Sequence, residues 1–195
     1  MRILLVSDTH DNMIAVNKVL EIADREKPDL VIHCGDYVSP FMIKKFANIG
    51  SRIVGVWGNN DGDKQTILSI IAGEDFTIAP QPREIAIGGF NALVIHGWQK
   101  PDKTRKLVYN IARGSQYKFI FYGHTHSIDI SKLLDGEIAH LETTRGEYSL
   151  DLNEFKTLII NPGEACGWLT GKGTCIIIDI EEKIHLRILE IFSYE

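Results

Sequence analysis

The sequence predicts an α/β fold in which a parallel sheet is followed by a second, strand-rich sheet. In the first half, short apolar runs alternate with helical patterns, which favours parallel strands buried on both faces. From Phe76 onward the pattern changes to shorter strands separated by turn residues. Two packed sheets with helices on the outside would accommodate both halves.

The elements of the first half have recognisable beginnings. Residues 3–6 are apolar throughout and predict a buried first strand. Asp11 or Asn12 can cap the helix that follows, and Ser39 with Pro40 forms a cap and first position for the next helix. A third helix is expected over residues 64–72, closed by Gly73.

The second half reads as hairpins around one further helix. Residues 76–90 contain prolines and a Gly-Gly pair that predict short strands and a hairpin. Asp102 can cap a helix that runs to about Arg113. Later strands are expected over residues 128–134, 157–160, 174–180 and 184–191.

Composition narrows the class of protein. The 195 residues fit one domain, and a net charge of -5 does not favour nucleic acid or an anionic membrane as a partner. No apolar run approaches the length of a membrane span, and an early first strand leaves no room for a signal peptide. Cys34, Cys166 and Cys175 do not have the spacing of a metal-binding knuckle and do not form an even set for disulfides. Both observations favour a reducing, cytoplasmic location.

Chemistry-bearing side chains follow the apolar runs. Asp8 and His10 stand two positions apart after the first run, so in extended chain their side chains point to the same side. Four later runs also end on Asp, Asn or His, at the edge of an α/β sheet where ligands bind. The full set is Asp8, His10, Asp36, Asn59, His96, His124 and His126.

These side chains are too many for one four-coordinate ion. They suit two divalent ions that share a bridging carboxylate, an arrangement used for displacement at phosphorus. Mixed oxygen and imidazole ligation favours manganese, iron, zinc, cobalt or nickel over magnesium or calcium, and we expect manganese first among them.

The series of motifs resembles the calcineurin-like metallophosphoesterases, in particular their small bacterial and archaeal phosphodiesterase branch. The resemblance implies a four-layer α/β/β/α sandwich of two mixed sheets flanked by helices. It also implies one ion on Asp8, His10, Asp36 and His126, and a second on Asp36, Asn59, His96 and His124. The motifs are Asp8-Thr9-His10, Gly35-Asp36, Gly58-Asn59-Asn60-Asp61, His96-Gly97, Gly123-His124-Thr125-His126 and Asn161-Pro162-Gly163.

The function that the resemblance implies is hydrolysis of small or activated phosphodiesters by attack of a metal-bridging hydroxide. Asp36 and His10 would be catalytic, and Asn59 and Asn60 would bind the substrate. A phosphomonoesterase or nucleotidase is one alternative. A non-catalytic protein-interaction scaffold of the same fold is another, although it predicts eroded ligands and all seven are present.

The sequence departs from the family pattern in two places. Asn60 stands where most members have a histidine that can protonate the leaving group, and an amide cannot supply a proton at neutral pH. His10 and a bound water are the remaining proton sources. Residues 139–156 look like an insertion within a single domain of residues 1–195, either a lid, an oligomer contact or a surface excursion.

Several other residues invite interpretation. His33 is expected to support a ligand by hydrogen bonding rather than to bind metal. Asp61 is expected to be a helix cap or a hydrogen-bonding partner of a ligand rather than a catalytic acid. Cys34 is expected to be a buried thiol rather than a nucleophile. Trp168 either lines a pocket or covers the core. Basic residues near His96 are either a solvated helix face or a site for the second substituent of a substrate: Lys100, Lys103, Arg105 and Lys106.

Overall fold

The computed structural model describes residues 1–194, apart from the side chain of Arg145. Strands and helices alternate as predicted in the first half, and strands dominate the second half. Two 3-10 turns, Thr143–Arg145 and Leu152–Glu154, flank a late strand. The other elements are β1 (Arg2–Val6), α1 (Met13–Glu26), β2 (Leu30–His33), α2 (Pro40–Phe46), β3 (Arg52–Val56), α3 (Lys64–Ile71), β4 (Phe76–Ala79), β5 (Arg83–Ile87), β6 (Phe90–Ile95), α4 (Pro101–Gly114), β7 (Phe119–Tyr122), β8 (Ile128–Leu134), β9 (Glu137–His140), β10 (Glu147–Asp151), β11 (Thr157–Pro162), β12 (Lys172–Ile180) and β13 (Lys183–Ser193).

Helix starts follow the predicted caps in two cases and differ in a third. Asn12 caps α1 by accepting from the backbone N–H groups of Ile14 and Ala15. Pro40 opens α2 after Ser39, as expected. The prediction that Asp102 caps α4 is wrong, because Pro101 occupies the first helical position and places Asp102 inside the first turn.

Both sheets are mixed. The first has the order β10-β13-β12-β1-β2-β3-β4, with β1 to β4 parallel and the other three strands added antiparallel. The second has the order β5-β6-β7-β11-β8-β9, with β6, β7 and β11 parallel. The carboxyl ends of β1, β2, β3, β6 and β7 carry every motif singled out in the sequence except Asn161-Pro162-Gly163, which lies at the end of β11.

The apolar side chains sort into three layers of core, which confirms the four-layer sandwich. Between the sheets lie residues of alternate strand positions such as Leu5, Ile32 and Phe121. The opposite face of the first sheet packs against α1, α2 and α3. The outer face of the second sheet packs against α4 through Val108 and Ala112. None of the helices in residues 1–194 has the length and apolar character needed to span a bilayer.

Residues 139–156 form part of the sandwich. They contain the end of β9 and all of β10, which pairs with β13 at the edge of the first sheet. Leu150 and Phe155 are buried in the core between the sheets. Since β13 and β12 lie between β10 and β1, this strand is remote from the loop after β1. A plain surface excursion does not describe the segment.

Candidate metal centre

The loops after five strands meet at one edge of the two sheets. Asp8 and His10 follow β1, Asp36 follows β2, and His124 and His126 follow β7. Backbone hydrogen bonds join these loops to one another: the N–H of Asp8 donates to Gly35, and the N–H of His10 donates to Asp36. Asn59 and His96, after β3 and β6, complete the set at the same edge.

The backbone is strained at most of these positions. Non-glycine residues in the left-handed region cost about 1–2 kcal/mol, and such residues collect at functional sites where the surrounding structure holds them. Five of the candidate ligands have φ in this region: Asp8 at 54°, His10 at 42°, Asp36 at 59°, His124 at 66° and His126 at 58°.

One group of donor atoms surrounds a buried point near β1. Asp8 Oδ1 lies 3.7 Å from His10 Nε2 and 3.6 Å from His126 Nε2. Asp36 Oδ2 lies 3.4 Å from the same His10 nitrogen. Asp8 Oδ1 and His10 Nε2 are buried without a hydrogen-bond partner, which is costly unless another group binds them. The other oxygen of Asp8 accepts from the Ser7 hydroxyl and from the His124 N–H.

A second group shares one atom with the first. Asp36 Oδ2 lies 3.4 Å from His96 Nε2, so this oxygen stands between the two groups. Asn59 Oδ1 is 2.9 Å from His96 Nε2, and His124 Nδ1 is 3.3 Å from it. The arrangement has the connectivity of two adjacent sites with Asp36 in common.

The histidine tautomers are set by oxygen atoms outside the cluster. His96 Nδ1 lies 2.8 Å from the Cys34 carbonyl, and His124 Nε2 lies 2.7 Å from the Gln99 carbonyl. His126 Nδ1 lies 2.8 Å from the Glu164 carboxylate. Because these oxygens only accept, each of those ring nitrogens donates, and in the neutral ring the other nitrogen, which faces the cluster, has a lone pair. Metal-binding histidines are held in this way.

Electrostatics keep both carboxylates charged. Burial acts to raise the pKa of Asp36, but hydrogen bonds from His96 and Asn60 outweigh it, so the pKa is lowered. Burial also acts to raise the pKa of Asp8, but interactions with His10, His96 and His126 outweigh it, so this pKa is lowered as well. The pKa values of His96 and His126 are raised despite burial, by Asp36 and Glu164 respectively. A divalent cation bound there would compete with protons for these histidine nitrogens.

His33 and Asp61 lie where the sequence placed them, in support of the ligand loops. His33 Nδ1 accepts from the N–H of Gly35, and its Nε2 lies 3.3 Å from the Thr9 hydroxyl. Asp61 accepts from the N–H groups of Asp36 and Gly58, while the cap of α3 is Asp63. Cys34 is fully buried, and burial raises the pKa of its thiol well above the ordinary value.

The Asn161 turn also has a role. Asn161 is fully buried, and its amide donates to the Gly123 carbonyl and to the Thr125 hydroxyl at 3.0 Å each. These two residues flank His124 in the loop after β7. The turn therefore fixes the position of that loop relative to β11.

Sequence reasoning missed Glu164. This carboxylate is fully buried, binds His126, and accepts from the backbone N–H groups of Trp168, Leu169 and Thr170. Burial opposes its charge, but hydrogen bonds from His126 and Cys166 outweigh it and lower its pKa to about 2. Its place one residue after the Asn161-Pro162-Gly163 turn is the signal that could have found it.

Cys166 lies close to the centre without joining it. Its sulfur is within reach of His10 and His126, but it donates to Glu164 at 3.1 Å. Burial raises the pKa of this thiol far above the ordinary value, which disfavours the thiolate that a metal requires.

Four other residues singled out in the sequence, two of them on α4, lie outside the set of candidate ligands. Trp168 stacks on His10 and is 58% exposed, so it borders the centre and does not cover the core. Asn60 is exposed and bonds Asp36 through its side-chain amide. Lys103 and Lys106 line a groove on α4 together with Trp98 and Gln99, and the two interpretations of these basic residues stay predictions.

The donor set fits divalent metal ions. It combines ionised carboxylates, an amide oxygen and imidazole nitrogens with fixed lone pairs, and it contains two orphaned buried atoms. Hydrogen bonding within the described residues leaves these atoms unexplained, and a cation would satisfy them.

Comparison with known proteins gives a consistent picture. A sequence model of the calcineurin-like phosphoesterase superfamily domain matches residues 1–183. Phosphodiesterase MJ0936 of Methanocaldococcus jannaschii is 30% identical over 190 residues, which covers 97% of this chain and 99% of that protein. A solved structure of an archaeal phosphodiesterase superimposes with a TM-score of 0.74 at 30% identity, again covering 97% and 99% of the two chains.

A more distant likeness concerns the fold alone. Vps29 from Entamoeba histolytica, solved with zinc, superimposes with a TM-score of 0.64 at 16% identity, over 98% of this chain and 100% of that one.

The domain match and the full-length similarity are sufficient for assignment: the chain belongs to the calcineurin-like phosphoesterase superfamily, whose members use divalent metal ions.

Proposed function

We propose that this chain is a metal-dependent phosphodiesterase that hydrolyses small or activated phosphodiesters. The observation that carries the proposal is the position of Asp36 Oδ2, which is shared by two groups of donor atoms at 3.4 Å from a histidine of each. The full-length similarity to a protein named phosphodiesterase supports the diester as substrate. A small substrate fits the net charge of -5, which does not attract long nucleic acid.

The residues fit two divalent ions, of which manganese is the one we expect first. One would be held by Asp8, His10, Asp36 and His126, and the other by Asp36, Asn59, His96 and His124. Such a pair of ions supplies a nucleophilic oxygen at neutral pH and neutralises charge on the phosphoryl group.

Orientation of the substrate falls to the exposed asparagines. Asn59 and Asn60 follow β3 at the open side of the cluster, and an amide can donate a hydrogen bond to a phosphoryl oxygen. Neither can give a proton to the leaving oxygen, so esters of acidic alcohols are the preferred substrates. His10, whose side chain is 13% exposed, or a water molecule supplies the proton for other esters.

The alternatives are a phosphomonoesterase or nucleotidase and a non-catalytic scaffold. The scaffold is disfavoured because the seven candidate ligands are intact and the outward ring nitrogens of three of them, His96, His124 and His126, are bonded to oxygen atoms outside the cluster. The cytoplasmic location stays a prediction, to which the buried, unpaired state of the three cysteines adds support. That residues 139–156 are an insertion within one domain also stays a proposal.

The test is hydrolysis of a panel of mono- and diesters by manganese-loaded protein, with Asp36→Asn as the diagnostic variant. We expect hydrolysis of aryl diesters, about 10²-fold slower or worse in the variant because the shared charge is lost. Asp102→Asn is the matched control, since that side chain is 98% exposed on α4. Absence of diester hydrolysis by the unaltered protein would favour the scaffold, and a preference for monoesters would favour the first alternative.

A further inference from the structure

Trp168 presents an aromatic ring at the edge of the metal centre. Its ring centroid lies 5.9 Å from that of His10, with 28° between the two planes, and His10 in turn stacks on His126 at 5.2 Å. The side chain is nevertheless 58% exposed. Removing apolar surface from water is favourable, so a ligand held in the centre would gain binding energy by covering the exposed part of this ring.

The ring is carried by a fixed segment. Glu164 accepts from the backbone N–H groups of Trp168 at 3.1 Å and Leu169 at 2.9 Å. The N–H of Cys166 donates to the carbonyl of Asp8 at 3.0 Å, which fastens the same segment to the loop after β1. Because Glu164 also binds His126, one carboxylate sets the ring and a candidate metal ligand relative to each other.

We infer that Trp168 is a specificity-determining residue, which stacks on an aromatic substituent of the phosphodiester. The inference rests on the proposed function and narrows its substrate class to aryl or nucleoside esters. Because Trp168 contacts His10, a candidate metal ligand, an aromatic substituent of a diester bound beside His10 could meet the part of the Trp168 ring that His10 leaves uncovered. Stacking on an ordered indole costs little conformational entropy and tolerates different aromatic groups. An alkyl substituent gains much less from the same surface.

Binding of two phosphinates to the manganese-loaded protein tests this without catalysis. Diphenylphosphinate and diethylphosphinate keep the charge and the two non-bridging oxygens of a phosphodiester. Their P–C bonds stand in place of the ester P–O bonds and are not hydrolysed. We expect calorimetry to show about 10-fold tighter binding of the diphenyl compound, and about 2-fold or less with Trp168→Ala. Trp168→Phe should keep most of the preference. Leu169→Ala is the matched control, because Leu169 is 75% exposed on the same segment and carries no ring.

The outcomes separate the two proposals. If Trp168→Ala weakens both phosphinates equally, the ring only packs against His10 and the inference is wrong. Equal affinity of the unaltered protein for both compounds also overturns it. In the hydrolysis of bis(4-nitrophenyl) phosphate, Trp168→Ala should raise KM and leave kcat nearly unchanged. If the unaltered protein does not hydrolyse that diester at all, the proposed function fails, whatever the binding preference.

Discussion

Asn60 is bonded to the carboxylate of Asp36 twice. Its backbone N–H donates to Oδ1 at 2.8 Å, and its side-chain amide donates to Oδ2 at 2.7 Å. The second oxygen is the atom that both groups of donors share. Asn60 is therefore a neutral donor to the central carboxylate. It holds that carboxylate in place and has no proton to release.

Asn60→His should change how the rate depends on the leaving group. In the unaltered protein we expect a steep decrease in rate as the leaving-group pKa increases, because departing alkoxides lack a proton donor. An imidazole within reach of the leaving oxygen should raise activity on alkyl esters by about 10²-fold or more and leave nitrophenyl esters little changed. The measurement is kcat/KM over a series of diesters, with Asn60→Ala as control. A shallow dependence in the unaltered protein would show that another residue, His10 first, is the acid.

Glu164→Gln should weaken metal binding while leaving the ligands themselves in place. The amide presents one accepting oxygen instead of two, so part of the hydrogen bonding from His126 and from residues 168–170 is lost. Loss of such supporting partners typically costs about 10–100-fold in metal affinity. Calorimetric titration with manganese checks this, and Glu190→Gln, an exposed partner of Lys172, is the control. Unchanged affinity would mean that the carboxylate only shapes the loop.

Gly123→Ala should damage the metal centre by steric crowding alone. A methyl group there would lie 2.0 Å from the Ser7 hydroxyl oxygen and 2.9 Å from Asp8 Oδ2, so either the Ser7–Asp8 hydrogen bond breaks or the buried strand ends separate. We expect the free energy of unfolding to fall by about 1–3 kcal/mol, together with manganese affinity. Gly114→Ala, at the end of α4 with open space around its Cβ, should leave both unchanged or slightly improve stability. Equal behaviour of the two variants in denaturant titrations would contradict the expected crowding.

The candidate ligands could be predicted from the sequence because each one is local to a strand end. An apolar run followed by Asp8 or His96 predicts a strand, and it also predicts that the side chain lies at the carboxyl-terminal edge of the sheet. Glu164 has only its place after the Asn161-Pro162-Gly163 turn as a signal, and that place does not indicate its contacts. Its function depends on contacts with His126, 38 positions earlier in the chain, and with the segment to Thr170, and no periodic pattern encodes those contacts.

Strand pairing shows the same division. The sequence predicts short strands and a hairpin over residues 76–90, and three strands form there or begin there. It does not tell that β4 joins the first sheet beside β3, while β5 and β6 begin the second. That choice depends on which apolar face meets which neighbour, a non-local property. The pairing of β10 with β13 at the edge of the first sheet also depends on non-local contacts and could not be predicted from the sequence.

His33→Asn should reduce the loss of stability in mild acid. Burial lowers the pKa of His33 to about 3, so between that value and about 6.5 the unfolded chain binds one more proton than the folded protein. Stability supported by the neutral ring is thus present above pH 6.5 and is lost as the pH falls. Lowering the pH from 7 to 5 should cost about 2 kcal/mol through this residue.

The measurement is urea unfolding at both pH values in the presence of a chelator. The asparagine variant is less stable at each pH, because it loses the contact with Tyr37, but its pH dependence should be weaker by about that amount. His185→Asn, at an exposed position, should behave like the unaltered protein. An identical pH dependence in all three proteins would show that His33 does not remain neutral in the folded state.

Leu150→Ala tests whether residues 139–156 stabilise the sandwich. Leu150 is 6% exposed on β10 and packs into the core between the sheets, so its truncation should lower the free energy of unfolding by about 2–4 kcal/mol. Manganese affinity and diester hydrolysis at low temperature should stay unchanged, since β13 and β12 separate β10 from β1. Leu134→Ala, at a position 44% exposed, is the control and should cost much less. A small loss of stability combined with a large loss of activity would instead indicate a lid, because a lid contributes to the site and little to the core.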